Sequence, residues 1–207
     1  ERLLRQSELP LEKSLANFDL KRLPVKAQRQ LRTLLEGDFL NRKENVLVFG
    51  NPGSGKSHLL TALAQELIVV RERRMHFSKC SLLMQDLLAA KRDLRLGREI
   101  KRLGRYDGLI VDDLGYIQQS RDDMDVVFTL LAERYERGSV LMTSNLAFSK
   151  WEGIFKDAMM TAAAIDRLVH HSVIIELNIP SYRVEEAKKK QEAEGRAAAA
   201  AGDQRCV

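Results

Sequence analysis

Short apolar runs alternate along the chain with longer stretches in which apolar residues recur every three or four positions. The short runs predict buried strands, and the longer stretches predict helices with one buried face. Strands are predicted at 45–49, 74–78, 108–113, 139–145 and 173–177. Helices are predicted at 25–36, 57–70, 81–90, 122–137, over most of 149–171 and at 181–196. Strands that alternate with helices predict an α/β fold with a parallel sheet covered on both faces.

The pattern divides the chain into one large unit with short flanking segments. Its 207 residues and 44% apolar content suit a single compact domain, which we place at 25–180. Residues 1–24 contain Pro10 and mixed polarity and are predicted to form an extended approach segment. A terminal helix is predicted at 181–196 and a fraying, alanine-rich tail at 197–207. Because residue 1 is Glu, the sequence leaves open a natural N-terminal domain before it.

A glycine-rich turn joins the first predicted buried strand to the following helix. Residues 50–57 match the pattern G-x-x-x-x-G-K-S in the strand-to-helix context that a P-loop requires. Main-chain N–H groups of such a turn hold phosphate oxygens, the lysine reaches the β and γ phosphates, and the serine hydroxyl ligates Mg²⁺. The predicted ATP-binding residues here are Gly50, Asn51, Pro52, Gly53, Ser54, Gly55, Lys56, Ser57 and His58, which could touch a phosphate.

Polar side chains follow two other predicted strands. The run "LIVDD" ends in Asp112 and Asp113, and we assign Asp112 to Mg²⁺ and Asp113 to the attacking water. A structural role for Asp113 at the strand end remains open. Asn145 follows "LMTS" and is predicted to face the γ phosphate as a sensor, because an amide can bond both a phosphate oxygen and water. Its alternative is a turn former.

Composition narrows the class of protein further. The net charge of +5 and the pI of about 9.3 favour a polyanionic partner. Cys80 and Cys206 lie far apart and predict neither a disulfide nor a zinc site, and His170 and His171 suggest no metal constellation in sequence. No apolar run approaches the roughly 18 residues of a membrane span, so we expect a cytoplasmic protein.

Positive charge is concentrated between the second and third predicted strands. Two acids, Asp93 and Glu99, accompany seven cations in this segment. Such a surface predicts sequence-tolerant, salt-sensitive DNA binding, with a merely solvated face as the alternative. A second acid-free cluster, from Lys21 to Arg32, meets either the same DNA or the nucleotide. The predicted DNA-binding residues are Lys91, Arg92, Arg95, Arg98, Lys101, Arg102 and Arg105.

Four segments together resemble a known ATPase family. They are "GNPGSGKSHL", "YDGLIVDDLGY", "TSNLAFSKWEGIF" and "AAAIDRLVHHSVIIELNIPSYR". The sequence is similar to AAA+ ATPases of the DnaA/DnaC initiator and loader clade and most closely to the IstB helper ATPases of insertion sequences. The resemblance runs from about Leu15 to Arg183. It implies a five-stranded parallel sheet in the order 5-1-4-3-2 without a full helical lid domain, and a homo-oligomer with ATP between subunits.

The resemblance also implies roles for three further residues. Arg167 of "IDRLVH" matches an arginine finger that reaches the site of a neighbouring subunit, whereas an ion pair with Asp166 is the structural alternative. Arg183 of "SYR" matches a sensor arginine that contacts phosphate, or else it packs at a helix start. Phe18 matches a residue that packs on adenine, with ordinary core burial as the alternative.

The function implied by the resemblance is ATP-driven work on DNA. We expect an ATPase with Mg²⁺ in the bacterial cytoplasm that assembles on duplex DNA as a ring or spiral. It would help a transposase prepare its target in DNA recombination, and hydrolysis would drive disassembly. The alternative is a DnaC-type loader of a replicative helicase. A small-molecule kinase is a third class, but the sequence offers no acceptor pocket for it.

Overall fold

The computed structural model describes residues 1–115, 121–155, 157–188 and 191. Its strands form one parallel sheet, and its longer helices lie on the two faces of that sheet. The strands are β1 (Asn45–Gly50), β2 (Met75–Lys79), β3 (Gly108–Leu114), β4 (Ser139–Ser144) and β5 (Ser172–Leu177). The helices are α1 (Arg2–Gln6), α2 (Val25–Leu35), α3 (Asp38–Asn41), α4 (Lys56–Arg71), α5 (Cys80–Arg92), α6 (Leu96–Leu103), α7 (Arg121–Arg134), α8 (Glu152–Phe155) and α9 (Ala158–Val169), with 3-10 turns at Leu20–Arg22 and Phe148–Lys150.

The strand order is β2-β3-β4-β1-β5, with every neighbouring pair parallel. This is the predicted order 5-1-4-3-2 read from the other edge, so the fold class is confirmed. In such a sheet all strands point the same way, and the polar residues that follow them meet at one edge. The sheet therefore brings the ends of β1, β3 and β4 together.

Alternate side chains of the central strands β1, β3 and β4 enter two separate cores. On one face, Leu47, Val111 and Met142 pack with α5, α7, α8 and α9. On the other face, Val48 and Ile110 pack with α1, α2, α3 and α4. Strands buried on both faces read as continuous apolar runs, which explains why the three central strands stood out in the sequence. None of the described helices is long and apolar enough to cross a membrane.

The beginning of the chain differs from its predicted extended form. Residues 2–6 are helical, and Leu3 and Leu4 pack against the core next to α4. The main-chain oxygen of Ser7 then accepts a hydrogen bond of 2.7 Å from the Phe77 N–H of β2. The expectation of an extended start was wrong because two leucines give this segment a buried side.

After β5, the described part of the chain is helical at 182–188. The predicted helix at 181–196 is thus present over its first part, while residues 189–190 and 192–196 and the predicted tail at 197–207 lie outside the described residues. This helix starts directly beside the turn between β1 and α4, because the Tyr182 N–H donates to the Gly53 oxygen at 3.0 Å.

Candidate active site

The turn between β1 and α4 is glycine-rich because other parts of the chain lie directly against it. A Cβ at Gly50 would collide with the Leu177 oxygen of β5, and one at Gly53 (φ 78°) would collide with the Ser181 side chain. Glycine avoids both collisions and the cost of a positive φ. The turn leads into the N-terminus of α4, a helix of 16 residues, whose free N–H groups favour a bound anion.

Lys56 is folded into this turn. Only 4% of the residue is exposed, and its Nζ donates to the Gly50 and Asn51 oxygens at 2.9 Å each. Burial lowers the pKa of the ammonium, and the nearby Arg183 charge adds to that shift, whereas Asp113 and Asp112 oppose it. The ammonium is thus held by main-chain oxygens at the position where a P-loop lysine meets phosphate.

Asp112 and Asp113 occupy a break in the pairing of β3 with β4. The register shifts between Val111 and Leu114, and Asp113 has a left-handed backbone with φ 64°. As a result Asp113 lines the cleft above the turn, while Asp112 is buried with 2% exposure. Burial and the neighbouring Asp112 raise the pKa of the Asp113 carboxyl, and Lys56 is the largest opposing influence.

Thr143 of β4 holds this pair of acids in place. Its Oγ1 donates to Asp112 Oδ1 at 2.6 Å and accepts from the Asp113 N–H at 2.8 Å. One hydroxyl therefore orients the buried carboxylate and fixes the strained main chain of its neighbour. The sequence analysis missed Thr143, since it lies within an apolar strand and its role depends on strand pairing.

Asn145 follows β4 and lines the same cleft. Its Oδ1 is buried and has no hydrogen-bond partner among the described residues, as is also true of the Ser54 hydroxyl in the turn. Buried polar atoms without partners are rare in proteins and indicate a missing ligand or water. The glycine cradle, Lys56 and the two carboxylates fit a nucleotide phosphate with Mg²⁺, and the Asn145 Oδ1 can accept a hydrogen bond from water in the same cleft.

The cleft has a volume of about 460 Å³. Besides the turn, residues between 13 and 22 and residues between 179 and 183 line it. Phe18 lies over Gly55 and contacts the His58 ring edge-on, with centroids 5.0 Å apart. His58 Nε2 is 2.8 Å from the Ser14 oxygen, so this ring also anchors the N-terminal segment. Arg183 also lines the cleft.

Arg22 connects the two segments that line the cleft. Its guanidinium donates to the Pro180 oxygen at 3.0 Å, pairs with Glu185 at 2.9 Å and lies 5.0 Å from the centre of the Tyr182 ring. This residue of the second basic cluster therefore lines the cleft.

The structure brings most of the predicted site residues together. Gly50, Asn51 and Asp112 support the cleft from behind without lining it. The predicted residues that line it are Phe18, Pro52, Gly53, Ser54, Gly55, Lys56, Ser57, His58, Asp113, Asn145 and Arg183. The other lining residues are Arg22 of the second basic cluster and five that sequence reasoning did not assign, Lys13, Asn17, Asp19, Ile179 and Tyr182.

Arg167 lies at the other end of the strands, beside the first residue of β1. Its main-chain oxygen, with that of Leu168, accepts from the Asn45 side chain at the first residue of β1. Its guanidinium donates to the Ala163 oxygen at 3.1 Å and lies 5.0 Å from the Phe128 ring centre. At about 3.3 Å per residue, β1 separates this end from the turn by about 16 Å. Arg167 therefore cannot reach the cleft of its own chain.

The basic segment forms an exposed surface on α6 and the end of α5. All seven cations are exposed. Within the described part of the chain, Asp93 pairs with Arg95, and Glu99 pairs with Arg102 at 2.6 Å. The other cations of this segment form no ion pair there. Arg98, Lys101, Arg102 and Arg105 share one shallow recess, so their charges act on the same volume of solvent.

Replacing Thr143 with valine is expected to slow ATP hydrolysis by about 10- to 100-fold, the usual effect of losing a residue that orients a metal-binding group. It should also destabilise the fold by about 1–3 kcal/mol, because the buried Asp112 oxygen loses its partner. Thr143→Ser keeps the hydroxyl and should restore both properties. Steady-state hydrolysis and thermal unfolding measure them, and equal rates for the two variants would refute the assigned role.

Solved structures of replication proteins share this fold. The DnaC helicase loader superposes with a TM-score of 0.69 at 14% identity, covering 81% of this chain and 97% of that one. AMPPCP-bound DnaA from Aquifex aeolicus superposes with a TM-score of 0.68 at 17% identity, covering 90% of this chain and 57% of that one. At these identities the likeness concerns the fold alone, and it agrees with the predicted five-stranded parallel sheet flanked by helices.

Sequence comparison identifies the family. A family model described as IstB-like ATP binding protein matches residues 1–193. A protein of Sinorhizobium fredii named as an insertion-sequence ATP-binding protein is 40% identical over 200 residues, which cover 96% of this chain and 67% of the relative. The ATP-binding protein named for insertion sequence IS21 in Pseudomonas aeruginosa is 36% identical over 189 residues, covering 91% and 71%. The chain therefore belongs to the family of IstB-like ATP-binding proteins.

Proposed function

We propose that this protein hydrolyses ATP between adjoining copies of itself on duplex DNA and thereby assists a transposase. One observation carries the proposal. The cleft with Lys56, Asp113 and Asn145 lies at the carboxyl ends of the strands, whereas Arg167 lies at their amino ends. A second copy is needed to bring these groups together. Hydrolysis that requires assembly would then couple the loss of the γ phosphate to disassembly.

Within the cleft each residue has a distinct task. The turn at 50–57 holds the phosphates with its N–H groups. When phosphate binds, the Lys56 Nζ donates to phosphate oxygens instead of the Gly50 and Asn51 oxygens. Ser57 and Asp112 would hold Mg²⁺, which neutralises phosphate charge when bound. Asp113 accepts the proton of the attacking water, and the unpaired Asn145 Oδ1 orients that water.

The remaining cleft residues contact the rest of the nucleotide. Phe18 packs against adenine from the N-terminal segment, where it already covers Gly55. Arg183 contacts phosphate from the helix at 182–188, which is docked on the turn through Tyr182 and Gly53. The neighbouring copy supplies Arg167, whose guanidinium stabilises negative charge on the γ phosphate.

The proposed DNA surface is the basic segment at 91–105. Its seven cations and two acids give a net charge of +5, which equals that of the whole chain, so the remaining residues balance to zero. Side chains of this kind neutralise phosphates without reading bases. Repeated around an oligomer, the surface would follow the DNA backbone irrespective of sequence.

The transposase as partner is supported by the family and by the relatives, which are named as proteins of insertion sequences. The alternative of a helicase loader has support from shared fold alone, at 14% identity to DnaC. Co-purification from the native cell with a transposase, against co-purification with a replicative helicase, tests the two partners. Retention of the helicase alone would replace the proposal with the loader.

A double variant, Arg98→Gln with Arg105→Gln, tests the DNA surface. Both side chains are exposed, and neither forms an ion pair among the described residues. Each lost phosphate contact should reduce the slope of log K against log salt by about 0.9, or about 2 for the pair. Fluorescence anisotropy of labelled duplex DNA between low and physiological salt measures the slope.

The matched control removes two exposed cations from α1, Arg2→Gln with Arg5→Gln, and should keep the parental slope. Equal losses in both variants would mean that net charge alone is responsible. If duplex DNA changes neither the ATPase rate nor the oligomer size of the parent protein, assembly on DNA is refuted.

A further inference from the structure

Three metal-binding side chains converge on the surface away from the nucleotide cleft. Glu136 follows α7, and His170 and His171 follow α9. One ligand atom from each residue lies within 4.8 Å of the other two, and all three side chains are exposed. The sequence suggested no metal constellation for the histidines, because Glu136 is more than thirty positions away and joins them only through the packing of α7 on α9.

The backbone and a neighbouring hydroxyl hold the histidines in position. The His170 N–H donates to the Asp166 oxygen at 3.0 Å, and the His171 oxygen accepts from the Asn45 N–H at 2.7 Å. Tyr135 places its hydroxyl 2.8 Å from His170 Nδ1, so Nε2 is the nitrogen left for a ligand. A hydrogen bond on the second ring nitrogen is the usual support for a metal-bound histidine.

We propose that Glu136, His170 and His171 bind a divalent transition metal ion of the zinc type. Two imidazoles and one carboxylate form a ligand set that suits Zn²⁺ and leaves a coordination position for water. Mg²⁺ prefers oxygen ligands, so it would remain with the nucleotide. The site therefore differs from the phosphate site in both position and ligand chemistry.

Several charged side chains surround the proposed metal site. Glu136 and His171 line a recess of about 210 Å³ together with Arg42, Lys43 and Arg167. Arg42 pairs with Glu44 at 2.7 Å, which leaves Lys43 and Arg167 as the cations that oppose a bound metal ion. A metal ion here would add positive charge beside Arg167, the residue that we propose acts in the site of a neighbouring subunit. Metal binding itself requires neither ATP nor assembly.

Equilibrium dialysis of the untagged full chain with Zn²⁺, in the presence of excess Mg²⁺ and ADP, tests the site. One zinc ion per chain is expected. His171→Ala and Glu136→Gln should each weaken binding by more than about 10-fold, and Tyr135→Phe should weaken it by about 10-fold through loss of the support on His170. The three changed residues are exposed or at the surface, and unfolding curves check that each variant folds.

Two control variants remove the same kinds of side chain, a carboxylate and an imidazole, outside the proposed metal site. Glu133→Gln removes an exposed acid one turn earlier, which pairs with Arg137, and His58→Gln removes an imidazole from the nucleotide cleft. Both should bind zinc like the parent. Zinc uptake that is absent from the parent, or equal in all variants, would overturn the proposal. With Co²⁺ as the probe, visible d–d bands without a thiolate charge-transfer band are expected, and an intense thiolate band would assign the metal to a cysteine instead.

Discussion

Replacing Arg167 with alanine is expected to leave ATP binding unchanged and to slow ATP hydrolysis by about 10³-fold or more, the effect of losing an arginine finger. The physical reason is position: the guanidinium lies at the edge of the sheet where β1 begins, whereas the P-loop follows the end of that strand. Its contacts within the chain are the Ala163 oxygen and the Phe128 ring, which contribute little to folding. Nucleotide affinity and turnover, measured side by side, separate the two effects.

A mixing experiment distinguishes an arginine that acts in a neighbour from one that acts in its own chain. Arg167→Ala retains an intact cleft, and Asp113→Asn retains an intact Arg167, so mixed interfaces should contain one complete site. Combining the two inactive variants should therefore recover part of the parental rate. Arg137→Ala, an exposed arginine paired with Glu133, is the control and should hydrolyse ATP normally. A mixture that stays inactive would contradict delivery between subunits.

The sheet was predictable because its central strands β1, β3 and β4 are buried on both faces. Runs such as "VLVF" in β1 and "LIV" in β3 are apolar at every position, and the glycine turn after β1 requires a strand before it and a helix behind it. The same logic located Asp112, Asp113 and Asn145, since polar residues at the ends of parallel strands share one edge. Local pattern and global topology agree over this part of the chain, and the resemblance added the strand order.

Residues whose roles depend on tertiary contacts left no such signal. Thr143 is one polar residue in an apolar strand, and only the pairing of β4 with β3 places its hydroxyl between two aspartates. Arg22 and Tyr182 are 160 positions apart and meet across the cleft. Glu136 approaches His170 and His171 because α7 packs beside α9. Periodicity reports which face of an element is buried, but it does not report which elements become neighbours.

Replacing Asp113 with asparagine is expected to preserve ATP binding and to slow hydrolysis by about 10²- to 10⁴-fold, the usual contribution of a general base. The amide has the shape of the carboxyl group but cannot accept a proton, and the Asp113 N–H that bonds Thr143 is unchanged. The variant should therefore remain assembled on DNA with ATP, which sizing in the presence of duplex measures. Asp122→Asn, an exposed acid on α7, is the control and should behave like the parent.

Unfolding can be separated from lost chemistry in this variant through the charge of the carboxyl group. Burial and Asp112 raise the pKa of Asp113, so the folded state binds its proton more tightly than the unfolded chain. Such a group contributes stability below its unfolded pKa of about 3.9, and that contribution is lost as the pH rises through the folded value. At neutral pH the charged carboxylate is thus a cost to folding, and Asp113→Asn should have a Tm at or above that of the parent. A lower Tm would attribute the lost activity to misfolding, whereas a stable variant with parental turnover would exclude Asp113 as the base.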